Sequence, residues 1–190
     1  MLTADRIHFL LYAAGCLWSL ITWCVSAGLV AKWNSYDGTR PGFSLGSANA
    51  VLAWSFLLWI YYVVALVIVM FVSPSNILVC IIIDVCVLFF FLIFGFASVG
   101  SLSNVAKGFR ILSSYGPSSG IGSLGQATLA LGWILVFIVL GTLIYELYYV
   151  IRNHGRDTAA WRQSFHDLST GSMPRPEKRS SHTAATTTAV

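Results

Sequence analysis

The sequence predicts an all-α membrane protein: a four-transmembrane-helix antiparallel bundle with both termini on the same side. Three observations predict it. Of 190 residues, 57% are hydrophobic and only 9% are charged, against about 25% charged in an ordinary soluble domain. Four apolar runs, at 7–31, 50–72, 77–99 and 128–151, are each long enough to cross a hydrocarbon core of roughly 30 Å at about 1.5 Å per residue. The segments between them are too short for a soluble domain, and four crossings return the chain to its starting side. The organisation expected is a membrane domain at 1–151 and a tail at 152–190.

The first span carries small residues on one side. Gly15/Ser19 and Cys24/Gly28 are small-xxx-small pairs, which let helices approach closely. We expect them to pack within the bundle; a homodimer face is the alternative. The run is too long for the apolar region of a cleaved signal peptide, so it is expected to act as an uncleaved anchor. Segment 32–49 is punctuated by Gly, Pro and Ser, with Trp33 at headgroup level. It lacks the paired cysteines of a disulfide-bonded external domain. All four cysteines (Cys16, Cys24, Cys80 and Cys86) lie inside apolar runs, where cysteine packs as a small hydrophobe.

The second span is rich in aromatic residues (Trp54, Trp59, Tyr61, Tyr62) and has no charge. Ser73-Pro74-Ser75-Asn76 is a tight turn, so spans two and three must form an antiparallel hairpin. The third span holds Asp84 as its sole charge. Inserting a carboxylate there costs on the order of 3 kcal/mol, so a partner is expected to face it. Phe89-Phe90-Phe91 is expected to divide between lipid and core. Segment 100–127, with its glycine/serine-rich stretch, reads as a flexible connector. It has neither the strand nor the GK[ST] ending of a phosphate loop.

The fourth span ends in Tyr145-Glu146-Leu147-Tyr148-Tyr149, an interfacial tyrosine belt. In the tail, Trp161, Phe165 and Leu168 are spaced i, i+4, i+7, which predicts a short helix lying on the membrane surface. Beyond Pro174 the composition predicts disorder.

Charge sets the expected orientation. Arg6, Arg152, Arg156, Arg162, Arg175, Lys178 and Arg179 lie on the terminal side, and Lys32, Arg40, Lys107 and Arg110 on the other. Without the three most distant tail charges the sides tie, but the Arg152/Arg156/Arg162 cluster still favours cytosolic termini. The net charge of +4 therefore follows membrane topology, and no nucleic acid partner is expected. Localisation to the plasma membrane is expected, with an endomembrane as the alternative.

This orientation brings Arg6, His8, Asp84 and Glu146 to similar depth in the cytosolic half. Asp84 is roughly 10 Å and Glu146 roughly 8 Å from that face. Arg6 can snorkel inward along its stem. The leading expectation is an Arg6–Asp84 pair that fixes which helices touch. The alternatives are an ion or proton pathway through Asp84, or a neutral Asp84 bonded to a neighbouring helix. A pathway needs polar groups that continue to the other face, and the third span offers only Ser98 above Asp84.

These residues give the chain a resemblance to the MARVEL superfamily, which includes the plant Casparian-strip membrane-domain-like proteins and the fungal MARVEL-type proteins. The likeness rests on four compact spans, Arg6 at the start of the first (DRIHFLLYAAG), and Asp84 in the third followed by an Ala-Ser stretch (IIIDVCVLFFFLIFGFASVGS). It implies a non-enzymatic role: organising lateral membrane domains, scaffolding membrane proteins, or vesicle and junction traffic.

No catalytic constellation is legible. HExxH and GxSxG are absent, and His8, His154, His166 and His182 do not share a span with other ligands at metal spacing. No enzyme activity, cofactor or metal is expected. The partners expected are the bilayer and either further copies of the chain or other membrane proteins. Thr188-Ala189-Val190 fits the Ser/Thr-x-aliphatic end read by PDZ domains. Ser180 and Ser181 follow Lys178-Arg179, where phosphorylation would cancel positive charge at a lipid surface. The functional expectation is a membrane scaffold or lateral-domain organiser acting through helix packing and self-association. The alternative is a small channel or transporter subunit with Asp84 as its ion or proton site.

Overall fold

Along each long helix one set of buried positions advances by alternating steps of three and four. In the computed structural model, which describes residues 4–36, 45–72, 80–114, 119–154, 161 and 165, α1 (Ala4–Asn34) buries positions 8, 12, 15, 19, 22, 26, 29 and 33. Helix α2 (Gly46–Val67), continued by a π-helical turn over Ile68–Val72, buries 48, 51, 55, 58 and 62. Helix α3 (Ile81–Ser103) buries 81, 84, 88, 91, 95, 98 and 102. After a short α4 (Ala106–Ser114), α5 (Ser119–His154) buries 125, 128, 132, 135, 139, 142 and 146. An average step of about 3.5 residues keeps one seam facing inward along a left-handed bundle.

Neighbours follow a ring. Helix α1 packs on α2 and α5, and α3 on α2 and α5, so α1 and α3 face each other across the diagonal. The beginning of α1 meets the end of α5, where the Tyr145 hydroxyl donates to the Ala4 carbonyl at 3.1 Å. Trp23 stacks near Phe56 and Trp59, while Tyr12 meets Tyr62. The rising numbers on α1 thus meet falling numbers on α2, and the helices run up, down, up and down.

The outer surface identifies the solvent. Leu17, Val64, Phe90, Ile93, Phe137 and Ile144 are all exposed. Large apolar side chains ring the bundle, far beyond the patches a soluble monomer tolerates. Among the described residues, four helices are long and apolar enough to span: Arg6–Asn34, Gly46–Met70, Ile81–Ser103 and Ser119–Asn153. The chain is an integral multi-pass membrane protein. Of the phenylalanine triplet, Phe89 and Phe90 face outward and Phe91 is buried.

The described part of 100–127 differs from the flexible connector expected. It forms the last turn of α3, then α4 and the first turns of α5. Glycine causes the difference by permitting close approach. A Cβ on Gly122 would collide with the backbone of Ser113 and Phe109, and one on Gly125 with the Phe109 ring. Their absence lets α4 lie against α5 with Phe109 buried and Lys107, Arg110 and Ile111 outside.

The tail also departs from expectation. Trp161 and Phe165 pack on the bundle end. Phe165 is buried against Ile81 and Val150, with Tyr145 and Tyr149 beside it. The Cys80 thiol donates to the Trp161 carbonyl at 3.1 Å. Aromatic rings that satisfy a bundle end have no reason to lie flat on lipid. Leu168 lies outside the described residues.

Candidate functional site

The inward seams of three helices converge near the bundle end that holds the start of α1. Helix α1 supplies His8 and Tyr12 from successive turns, α3 supplies Asp84, and α5 supplies Glu146. All four are buried; Glu146 is only 1% exposed. His8 Nε2 stands 2.9 Å from Glu146 Oε1, an N–H to carboxylate hydrogen bond. The Tyr12 hydroxyl lies 3.1 Å from the same Glu146 oxygen and also contacts Asp84 Oδ2 as donor. Tyr12 therefore links carboxyl groups from two other helices across the bundle diagonal.

Aromatic rings enclose the cluster. Phe165 stacks on the His8 imidazole at 4.2 Å between centroids and 10° between planes. Tyr62 of α2 meets Tyr12 edge-on at 5.3 Å. Gly15 makes room for it, since a Cβ there would come within 2.6 Å of the Tyr62 ring. Asp84 belongs to the first turn of α3, where the positive end of the helix dipole favours a carboxylate. Two carboxyl groups in a low-dielectric interior require positive compensation. Within the cluster that can come from the imidazolium, from a proton held by the carboxyls, or from a bound cation.

Of the polar residues singled out in the sequence, His8, Asp84 and Glu146 meet and Arg6 does not. Arg6 is exposed, and the contact with Asp84 is made by Tyr12. The reason is angular. Arg6 is two residues before His8, so it is turned about 200° around α1 from the buried seam. Of the small residues, Gly15 and Ser19 lie in the buried seam, whereas Cys24 is exposed and a Cβ on Gly28 would meet nothing. Ser180, Ser181, Thr188 and Val190 lie outside the described residues.

Tyr12 is the functional residue that sequence reasoning missed. Its signal was present: positions 8, 12, 15 and 19 share one heptad-like seam, so Tyr12 points where His8 points. The i, i+4 spacing of Trp161 and Phe165 marks an apolar face but not that the bundle end, rather than lipid, covers it. Comparison with protein-family models, curated proteins and solved structures finds no match.

Proposed function

We propose that the chain is a non-enzymatic four-span membrane scaffold, an organiser of lateral membrane domains that acts through helix packing and self-association. The observation that carries this reading is the apolar interior beyond the cluster. Leu88, Leu92, Leu135, Val136 and Val139 fill the described core there. Among the described residues, the buried serine and threonine hydroxyls donate back onto their own helices, and the buried Tyr62 hydroxyl makes no hydrogen bond onward. Ser26 donates to Thr22, Ser55 to Val51, Thr128 to Leu124 and Thr142 to Ile138, each to a backbone carbonyl. Hydroxyls spent this way form no interhelical relay. A channel or transporter centred on Asp84 needs such a relay to the opposite end.

The reading extends to cytosolic termini, a plasma-membrane location and a MARVEL-type relationship. Asp84 near the start of the third span, with Gly95, Ala97 and Ser98 further along it, supports that relationship, whereas the exposure of Arg6 weakens its other half. Self-association is tested by counting photobleaching steps of a fluorescently tagged chain in cell membranes. Multi-step spots are expected; uniformly single-step, dispersed molecules would remove the clustering role.

A further inference from the structure

We propose that His8, Asp84 and Glu146 form a binding site for one divalent transition-metal ion of the zinc class, which staples α1, α3 and α5 together. The proposal goes beyond the scaffold reading and does not depend on it. One ligand atom from each residue lies within 4.8 Å of the others, and all three residues are buried. Ligands on a tetrahedral ion with bonds of about 2.0 Å are separated by about 3.3 Å. The three side chains therefore need only a small contraction to close on an ion.

Glu146 Oε2 is buried with no donor aimed at it among the described residues, and the Asp84 carboxyl beside Glu146 can bond to it only by holding a proton. An orphaned carboxylate oxygen inside a membrane bundle is costly unless something cationic meets it. Oε1 of the same group is engaged by His8 and Tyr12; on binding, His8 Nε2 would give up its proton and exchange Oε1 for the ion, while Tyr12 keeps Oε1 and Glu146 offers its second oxygen.

Charge and donor type select the ion. Two carboxylates and a neutral imidazole carry a charge of −2, which one divalent cation cancels. A neutral assembly is the form that a low-dielectric interior accepts at least cost. One imidazole with two carboxylates is a donor set for zinc, manganese or iron(II), whereas calcium and magnesium prefer oxygen alone. Tyr12 would stay outside the ligand set and hold Asp84 through its hydroxyl, as outer partners of metal ligands commonly do. Entry is from the bundle end. His8 and Asp84 keep slight exposure, at 8% and 7%, with the Phe165 ring stacked over the His8 imidazole.

The test uses the full chain, purified in detergent and stripped with a chelator, then titrated with Co²⁺ followed by Zn²⁺. The expected result is one saturable equivalent of Co²⁺, visible d–d absorption, and displacement by Zn²⁺. Glu146→Gln and His8→Asn should each weaken binding by about a hundred-fold or more, because loss of a ligand exceeds the 10–100-fold typical of an outer partner. Cys24→Ser should leave binding unchanged. X-ray absorption of the Zn²⁺-loaded wild type keeps the test decisive if the ligand variants do not fold. Only nitrogen and oxygen neighbours, at about 2.0–2.2 Å, are expected. A sulfur shell near about 2.3 Å would move the ion to cysteine and overturn the proposal. Absence of saturable binding in the wild type would overturn it as well, leaving protons as the compensating charge.

Discussion

The two halves of the bundle hold their helices together in different ways. Toward the start of α1, one concentrated cluster joins α1, α3 and α5 through His8, Tyr12, Asp84 and Glu146. Farther along, the polar ties are dispersed among indole rings. Trp18 donates to the Leu131 carbonyl at 3.3 Å, Trp54 to the Phe91 carbonyl at 2.8 Å, and Trp133 to the Ser103 hydroxyl at 3.2 Å. Each of these joins one pair of helices: α1–α5, α2–α3 and α5–α3.

The difference teaches where specificity comes from when apolar burial cannot supply it. Lipid is as apolar as leucine, so helix neighbours in a membrane are chosen by close packing and a few hydrogen bonds. Dispersed ties are individually expendable. The cluster is not, because its members share partners and removing one leaves buried polar groups unsatisfied.

Substitutions can break this contrast, and the largest effect is expected at the cluster. His8→Ala removes the basic group facing two carboxyls and should lower stability by about 3–5 kcal/mol, the usual cost of breaking a buried pair. Unfolding in detergent micelles measures it. In the other half, Gly95→Val should cost about 1–3 kcal/mol by overpacking. A Cβ at Gly95 would come within 2.5 Å of the Trp54 ring, driving the indole off the Phe91 carbonyl. Trp54 fluorescence should shift with the loss, if followed in a variant whose other tryptophans are replaced by phenylalanine.

Tyr12→Phe sharpens the comparison from inside the cluster. It deletes two hydrogen bonds but leaves the His8–Glu146 contact, and membrane hydrogen bonds are worth about 0.6 to 1.7 kcal/mol each. A loss as large as that of His8→Ala would show that the phenol, and not the imidazole, organises the site. Smallest of all, Arg6→Ala should change stability by less than about 0.5 kcal/mol, as exposed substitutions do. A loss comparable to His8→Ala in the same unfolding assay would restore Arg6 as a partner of Asp84.

The fold was legible because membrane helices announce themselves by length and composition alone. The site was legible in part. Depth along each span could be read from residue number, and it correctly brought His8, Asp84 and Glu146 to one level. Depth alone does not separate Arg6 from Tyr12; direction around the helix does, because the step from 8 to 12 keeps a residue on one face and the step from 6 to 8 does not. The glycines at 122 and 125 suggest flexibility in the sequence, which shows the missing Cβ but not the α4 backbone and Phe109 ring that fill its place. The Phe165 contact was hidden for a similar reason. Apolar spacing marks a face, but lipid and a bundle end both accept it.

Flux through reconstituted liposomes tests most directly whether the cluster fastens the bundle or conducts through it. The purified chain, placed under an imposed proton or cation gradient, is expected to leak no faster than protein-free liposomes, and Asp84→Asn should behave like the wild type. A specific flux that Asp84→Asn abolishes, in protein that remains folded, would contradict a structural role for the cluster and make Asp84 a transport site.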